Sequence, residues 1–413
     1  MKTVIFDNNK STEYSNVTHL INMGESIIPE AVRIYLAQIG ENTENIETTP
    51  YFGSFNYKES VQLMVVGHFG RQYDFNFIDN SSVYPLFISF GWKDYFLMQR
   101  EVEYFKKNEP ILCRDEFTRN VMRRYGIEAY LFGCITLSLP YSQEQKGQNT
   151  IYFVDVPKQF LDTVPSDIIK NAIITSQNIR VQDMSDNIVC QINQVAKDRL
   201  SEYRTKAKMV VTTKLHCMTP CVAMGIPTIA VGDNFSYRYS YIDKFVTSYS
   251  FEEFANFNWN NVVKPKNVEV VKKLQIEIGR QLFHGTKDIE KMKKLDTILM
   301  NRKKWDYLKR MRRDIFEITD GELERQIILW GASSGGYAVS WCLKFYFPEL
   351  EVVSVVDTYA KGCFAGKEVC KPEQALKQYP EAIVFISTLS GMQYAKQFCE
   401  RMGRKYYVVH ENE

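Results

Sequence analysis

The sequence lacks three features that would place it in a specialised class of protein. Its 51 Lys and Arg residues are matched by 49 Asp and Glu residues, so it has no basic excess of the kind found in nucleic-acid binders. No apolar run reaches the roughly 18 residues of a transmembrane helix. The start, MKTVIFDNNKSTEY, does not resemble a signal peptide. We therefore expect no nucleic-acid partner and a cytoplasmic location.

Paired metal-binding cysteines are also missing. None of the nine cysteines forms a CxxC pair. Cys217 and Cys221 have the spacing of one side of a metal knuckle, but no second Cys or His pair follows. An odd number of cysteines scattered along a long chain is typical of free thiols in a reducing compartment. We expect no metal site.

The composition that remains is that of a globular chain, with 45% hydrophobic and 24% charged residues. Strand-like and helix-like segments alternate, which predicts an α/β fold with parallel sheets. The polar stretch PYSQEQKGQN (140–149) and a restart near residue 325 suggest the boundaries. We predict domains over 1–148, 149–300 and 325–413, the last two joined by a basic helical linker over 301–324.

Periodicity predicts individual elements within these domains. In the first domain we expect helices over 23–40 and 116–127 and strands over 61–67, 85–91 and 129–139. In the second we expect strands over 151–157, 208–213 and 226–232 and a helix over 215–224. Residues 265–318 have a mostly helical pattern. In the last domain we expect a strand, a glycine-rich turn and a helix over 325–345, followed by strands over 351–358 and 382–388.

The segment VVTTKLHCMTPCVAMGIP (210–227) is the most informative one for function. Lys214 and His216 follow a strand and begin a helix. Ligands of open parallel sheets bind at the carboxyl ends of strands, and a helix N-terminus favours anions. A cation beside an imidazole suits phosphate handling and proton transfer. A solvated lysine and a histidine that only caps the helix are the alternative.

Three other segments offer candidate site residues. Arg114 and Asp115 follow the strand-like ILC, where an arginine can bind phosphate or carboxylate, or form a structural pair with the aspartate. Asn22, Gly24 and Glu25 precede an apolar helix, where a glycine permits close approach of a ligand to the backbone. Arg238 lies within the aromatic segment FSYRYSYIDKF (235–245), which could line a sugar cleft or pack between domains.

Together these segments resemble the polysaccharide pyruvyl transferase family. The resemblance spans roughly residues 1–300 and rests on NMGESII, LMVVGHFG, PLFISFGW, REVEYFKKNEPILCRDEFT, GIEAYLFGCITLSLP, TTKLHCMTPCVAMGIPTIAVGDN and SYRYSYIDKF, in the family's order. It implies two Rossmann-like domains in an arrangement like that of GT-B glycosyltransferases. The third domain would be a small Rossmann-like α/β unit.

The resemblance also implies an activity, the transfer of the enolpyruvyl unit of phosphoenolpyruvate to a sugar as a pyruvate ketal. His216 matches the family's active-site histidine, and Arg114 matches an arginine expected to bind phosphoenolpyruvate. Lys214 stands where the family commonly has arginine. Lysine keeps the positive charge but lacks the planar guanidinium group that binds phosphate or carboxylate through two hydrogen bonds. Asp233 and Glu25 are candidate general bases, and no cofactor is expected. The acceptor would be a precursor of a surface polysaccharide, such as an exopolysaccharide or capsule.

The stretch GASSGG (331–336) allows two interpretations. Gly331, Ser333 and Gly336 resemble a relaxed Rossmann turn, with Asp357 placed to meet a ribose hydroxyl. Ser333 in place of the middle glycine would crowd a pyrophosphate. The segment VVDTYAKGCFAGKEVCKPEQAL (355–376) resembles small nucleotide or sugar-nucleotide binding units. A hydrolase elbow with Ser333, Asp357 and His410 is disfavoured, because too few residues follow for that fold.

The basic stretch NRKKWDYLKRMRRD (301–314) could contact an anionic membrane surface, which would suit a lipid-linked sugar acceptor. A solvated helix packing one stripe on the core is the favoured interpretation. Two rivals to pyruvyl transfer stay open. One is a nucleotide-sugar glycosyltransferase on the same architecture, and the other is a non-catalytic binding protein that kept the fold.

Overall fold

A computed structural model describes residues 2–6, 20–44, 46–49, 57–70, 80–93, 97–142, 149–180, 186–232, 237–260, 263–300, 325–333, 336, 339–340, 343, 350–388 and 391–408. The chain forms two compact units, one of residues 1–93 and 98–301 and one of residues 94–97 and 302–413. The predicted boundary near 148 and the linker over 301–324, with its basic stretch 301–314, lie outside the described residues. The predicted division of the chain therefore stays a prediction.

The first unit contains a six-stranded parallel sheet. Its strands are β1 (Lys2–Phe6), β3 (Glu47–Thr49), β4 (Val61–Phe69), β5 (Val83–Trp92), β6 (Ile111–Cys113) and β7 (Ala129–Leu131). They lie in the order β3-β1-β4-β5-β6-β7, and every pairing is parallel. The central strands are almost wholly buried, as strands covered by helices on both faces must be. The helices are α1 (Gly24–Ile39), α2 (Gln99–Lys107) and α3 (Glu116–Arg124).

A second parallel sheet lies in the same unit. Its strands are β8 (Thr150–Val154), β9 (Ile173–Thr175), β11 (Ala207–Thr212), β12 (Thr228–Val231) and β13 (Thr247–Tyr249). Their order is β13-β12-β11-β8-β9, again with parallel pairings only. The helices are α4 (Lys158–Leu161), α5 (Ser166–Lys170), α6 (Asp186–Lys206), α7 (Leu215–Ala223), α8 (Phe251–Ala255), α9 (Glu269–Phe283) and α10 (Ile289–Leu299). Both sheets are Rossmann-like, as predicted.

The two sheets share one hydrophobic core. Its largest cluster joins side chains of β1, α1 and β7 to side chains of α7, α9 and α10. The buried Tyr35 of α1 donates its hydroxyl to the carbonyl of Gln275 on α9, at 2.8 Å. A short antiparallel ladder of β2 (Leu20–Asn22) and β10 (Asn178–Arg180) adds a further connection. These contacts fix the start of α1 beside the second sheet.

The predicted strand over 129–139 is correct only for its first three residues. Strand β7 ends at Leu131, and residues Ile135–Ser138 form a buried 3₁₀ turn. Gly133 has φ +79°, a left-handed conformation that takes the chain out of the strand. The amide of Ile135 then donates to Ser89 Oγ at 3.0 Å. The apolar run is therefore core, but only three residues of it are strand.

The second unit is a Rossmann-like sheet of its own. Its strands are β14 (Arg325–Trp330), β15 (Leu350–Val356), β16 (Cys363–Phe364), β17 (Lys367–Cys370), β18 (Ile383–Ile386) and β19 (Tyr406–Val408). The order is β16-β17-β15-β14-β18-β19, with β16 and β17 antiparallel and the other pairs parallel. Helices α11 (Pro372–Gln378) and α12 (Met392–Arg401) accompany it. His410, the third member of the disfavoured hydrolase triad, lies outside the described residues. Among the described helices, none is both long and apolar enough to span a bilayer.

Candidate active site

The carboxyl ends of β6 and β11 bring the two strongest sequence candidates into contact. Arg114 follows β6 directly, and His216 lies in the first turn of α7, which follows β11. Arg114 Nη2 lies 2.6 Å from His216 Nε2. Arg114 is 1% exposed and His216 5% exposed, so this polar contact is closed off from water. The structure thus joins residues about 100 positions apart, each of which follows the carboxyl end of a strand from a different sheet.

The protonation of His216 follows from its partner. Arginine has only donors, so Nε2 of the imidazole must accept, and a neutral ring then carries its proton on Nδ1. Burial lowers the pKa of His216 well below its usual range, and the charges of Arg114 and Arg238 lower it further. Without a bound anion, His216 is a neutral acceptor.

The start of α1 closes the other side of the imidazole. A Cβ at Gly24 would lie 2.3 Å from His216 Nδ1 and 2.7 Å from His216 Cβ, so only glycine fits here. Asn22 Oδ1 accepts the Gly24 amide at 2.9 Å, and the half-buried Glu25 lies in the first turn of the helix. The N-termini of α1 and α7 therefore converge on His216, and both favour negative charge.

Asp115 is the third buried charge. Its Oδ1 accepts the Thr118 amide at 2.8 Å and so caps α3. Burial raises the pKa of Asp115 to about 6, against the lowering effects of Thr118, Arg114 and Arg238. Asp115 is therefore a helix cap, while the guanidinium of Arg114 contacts His216.

His68 was missed by the sequence analysis. It lies near the carboxyl end of β4, and its Nε2 is 3.9 Å from Asp115 Oδ2. Burial lowers its pKa well below the usual range, and Arg238 and Arg114 add to this effect. In the sequence it lies in the apolar segment LMVVGHFG, where nothing distinguished it from a core histidine.

The aromatic segment around Arg238 mainly packs between the elements of the first unit. Tyr239 donates its hydroxyl to the Thr213 carbonyl at 3.0 Å, and the Glu116 amide donates to Ser240 Oγ at 3.1 Å. The buried Tyr241 hydroxyl lies 3.1 Å from Thr219 Oγ1. These contacts agree with the packing interpretation. Arg238 itself is half-buried and places a second guanidinium charge near His216 and His68.

The remaining first-unit candidates have simpler positions. Lys214 caps α7, is half-buried, and donates its amide to Thr212 Oγ1 at 3.0 Å. Asp233 lies outside the described residues. Asp155, which the sequence analysis also missed, directly follows β8 with φ +54° and accepts the Gln177 amide at 2.9 Å. Thr213 Oγ1 donates to the Asp155 carbonyl at 3.1 Å, so Asp155 braces the loop before Lys214.

The predicted C-terminal ligand residues, Gly331, Ser333, Gly336 and Asp357, all belong to the second unit. Gly331 follows β14 and Asp357 follows β15. The carboxylate of Asp357 accepts the Ala332 amide at 2.9 Å, so strand end and turn are joined directly.

Comparison with known proteins gives one positive result. The family model for polysaccharide pyruvyl transferase matches residues 22–234, about half of the chain. The matched range includes Gly24, Arg114, Lys214 and His216, and it leaves out Arg238 and the second unit. No curated protein matches the sequence. A match over this much of the chain, including both members of the buried Arg114–His216 contact, shows that the protein belongs to the polysaccharide pyruvyl transferase family.

Proposed function

We propose that the protein transfers the enolpyruvyl group of phosphoenolpyruvate to two hydroxyls of a sugar, forming a pyruvate ketal and releasing phosphate. Family membership supports a transferase. The observation that carries the finer proposal is the buried contact of Arg114 with His216 at two helix N-termini. It combines an anion-binding cation with a group that can transfer a proton.

The charge balance of the site favours an anion. Arg114 and Arg238 each have a buried Nε without a hydrogen-bond partner among the described residues. A buried N–H of this kind is costly unless a ligand pairs with it. Phosphoenolpyruvate carries a phosphate and a carboxylate, and guanidinium groups bind both through charge-assisted hydrogen bonds. Lys214, half-buried at the start of α7, is a further cation proposed for this site, and Asn22, beside Gly24, is a further proposed contact.

Anion binding would also convert His216 into an acid. A bound phosphate competes with His216 for Arg114 and offsets the positive charge that holds the histidine pKa down. Protonated His216 then gives a proton to the methylene carbon of phosphoenolpyruvate, leaving an oxocarbenium-like centre at C2. One sugar hydroxyl adds to C2 and loses its proton. A second hydroxyl replaces phosphate, which leaves with its bonding electrons.

A general base would accept the protons of the sugar hydroxyls. Glu25 is the described candidate, because it lies one residue from the glycine that contacts His216. Asp233 is kept as a second candidate. The reaction balances with phosphoenolpyruvate as donor and needs no redox partner, so we propose no cofactor.

We propose a cytoplasmic enzyme whose acceptor is a sugar of a surface-polysaccharide precursor, for an exopolysaccharide or a capsule. A lipid-linked acceptor would place the enzyme at the inner face of the membrane, with residues 301–314 as the contact.

The first experiment is thermal unfolding of the full chain with phosphoenolpyruvate, nucleotide sugars or dinucleotides. At about 100 times its dissociation constant, a ligand adds roughly 2.7 kcal/mol to the unit that binds it. We expect this stabilisation with phosphoenolpyruvate, and its loss in Arg114→Ala. Arg100→Ala is the matched control, since it removes an exposed arginine of α2 in the same unit. Stabilisation by nucleotide sugars alone, unaffected by deletion of residues 325–413, would favour the glycosyltransferase.

A second variant separates binding from chemistry. His216→Gln keeps a side-chain acceptor near Arg114 but cannot become a strong acid. We expect phosphoenolpyruvate to bind, while acceptor-dependent phosphate release falls by about 10²- to 10⁴-fold, the usual contribution of a positioned acid. An unchanged rate would show that His216 is not the proton donor, and that the protein is not an enzyme of this mechanism.

A further inference from the structure

The second sheet of the first unit reverses its strand order at the strand that leads to His216. In chain order its strands are β8, β9, β11, β12 and β13, and they lie in the order fifth, fourth, third, first, second. The order therefore reverses between β8 and β11. Open α/β sheets bind ligands at such a reversal, outside the carboxyl ends of the strands. Asp155 directly follows β8, and Thr213 and Lys214 follow β11, so these residues border the reversal.

The backbone of Asp155 is held in a conformation that few residues other than glycine adopt. Its φ is +54°, in the left-handed region. Its carbonyl accepts Thr213 Oγ1 at 3.1 Å, and its amide donates to the Thr175 carbonyl at 3.0 Å. Residues after β11 and at the end of β9 thus fix Asp155 from both sides. Strained positions of this kind cluster at functional sites.

The carboxylate of Asp155 is oriented but not saturated. Its Oδ1 accepts the Ser176 hydroxyl, and its Oδ2 accepts the Gln177 amide at 2.9 Å. A carboxylate accepts about four hydrogen bonds, and the described residues supply these two. Each oxygen therefore has room for one more donor. Asp155 is half-buried, so a ligand can reach it from solvent.

Gln177 provides a second, independent observation beside this carboxylate. The residue is 1% exposed, and its Nε2 has no hydrogen-bond partner among the described residues. Such a buried N–H is costly unless a ligand pairs with it. The Gln177 carbonyl accepts the Met23 amide at 2.8 Å, and Met23 precedes Gly24, which packs against His216. Asp155 and Gln177 are therefore linked directly to the start of α1 at the candidate active site.

The charge of Asp155 indicates which substrate it contacts. Phosphoenolpyruvate carries a phosphate and a carboxylate, and both repel another carboxylate. A neutral sugar has no such conflict. Its hydroxyls can donate to a carboxylate and can accept from a carboxamide, so Asp155 and Gln177 offer the two complementary partners.

We propose that Asp155 and Gln177 form the binding site for the acceptor sugar, at the reversal between β8 and β11. One hydroxyl donates to the Asp155 carboxylate, and a second accepts from Gln177 Nε2. The ligand is a saccharide with two free hydroxyls, as a ketal requires. The choice of a sugar rests on the proposed pyruvyl transfer, but the binding itself requires no turnover.

Ligand-detected NMR titration of the full chain tests this site. The probes are the methyl glycosides of glucose, galactose, mannose and N-acetylglucosamine, each with and without phosphoenolpyruvate. We expect at least one to bind, and Asp155→Asn to weaken it about tenfold or more, as loss of a charged hydrogen-bond acceptor does. Asparagine tolerates the left-handed backbone and can pair with both Ser176 and Gln177, so the fold should be kept.

Two further variants sharpen the test. Gln177→Met keeps the side-chain volume and both backbone hydrogen bonds, and it should weaken glycoside binding about fivefold. Asp162→Asn is the matched control, because it removes the charge of an exposed aspartate in the same unit. It should leave glycoside binding unchanged.

Stabilisation by phosphoenolpyruvate separates recognition of the sugar from a purely structural role. We expect it to be equal in Asp155→Asn and the wild type, while the KM for the glycoside rises in acceptor-dependent phosphate release. The proposal is overturned if no glycoside binds the wild type, or if glycosides bind the wild type and Asp155→Asn equally. It is also overturned if Asp155→Asn loses stabilisation by phosphoenolpyruvate, because Asp155 would then only brace the loop before Lys214. Glycoside binding that depends on Asp155 but gives no phosphate release would support the sugar site and refute pyruvyl transfer.

Discussion

The substitution Gly24→Ala should inactivate the enzyme by moving one side chain. The new Cβ would lie 2.3 Å from His216 Nδ1, about 1 Å closer than an ordinary contact allows. His216 cannot retreat freely, because its other face meets Arg114 at 2.6 Å and it is buried. Either the imidazole or the start of α1 must therefore shift by about 1 Å.

The expected magnitudes follow from this shift. Overpacking of a buried site costs about 1–3 kcal/mol of stability. A displacement of about 1 Å at a catalytic group can cost about 100-fold in rate. We expect a modest fall in the unfolding temperature and a much larger fall in acceptor-dependent phosphate release. Gly391→Ala, in the second unit, is the control, because the sole described residue that its Cβ would meet is Thr388, at 3.3 Å.

A double-mutant cycle identifies His216 as the cause. The three atoms nearest to the new Cβ all belong to the His216 side chain. In a His216→Gly background, the stability cost of Gly24→Ala should therefore largely disappear. A full cost in that background, or wild-type stability and rate in Gly24→Ala alone, would refute the contact between the two helix starts.

Two further substitutions test the buried charges by thermal unfolding. The folded-state pKa of Asp115, about 6, is above its ordinary value of 3.8, so the contribution of Asp115 to stability should fall by about 3 kcal/mol as pH rises from about 4 to 6. The buried His68 and His216, whose pKa values are lowered, act in the opposite direction in both the wild type and the variant. Asp115→Asn should lack this fall, and parallel curves for the two proteins would contradict it. Asp296→Ala removes the acceptor of Arg119, at 3.0 Å, and of the Leu131 amide, at 2.7 Å. We expect a loss of about 3–5 kcal/mol with phosphoenolpyruvate affinity unchanged in the folded protein, and a loss below 1 kcal/mol would show that the ion pair is not buried as described.

Much of the fold was predictable because the hydrophobic periodicity and the glycines at the ends of elements indicate the same helices and strands. The helix expected over 23–40 is observed as Gly24–Ile39 and ends at Gly40 with φ +96°. The helix expected over 215–224 is observed as Leu215–Ala223. The strand over 129–139 failed because an apolar run marks burial and not conformation. Its only local warning was Gly133.

Ligands of open parallel sheets bind at the carboxyl ends of strands. This rule made the candidate site predictable where a charged residue within a motif follows a strand. Arg114 and His216 are such residues, and they lie in contact. His68 and Asp155 obey the same rule but stand in no charged motif, so nothing in the sequence distinguished them. Gly24 shows a different limit. Its lack of a side chain suggested the approach of a ligand, whereas the atom that approaches it belongs to His216.

Under the proposed function, two unpaired guanidinium N–H groups favour anion binding at this edge of the first unit. Arg114 Nε and Arg238 Nε are buried without hydrogen-bond partners among the described residues, and both charges lower the pKa of His216. A joint that served stability alone would pair them, as Asp296 pairs Arg119. Leaving them unpaired costs stability in the unliganded protein. We expect a bound anion to recover that cost and also to raise the pKa of His216 toward the range in which it can donate a proton. Under the proposed function, binding and acid activation are one electrostatic event at this site.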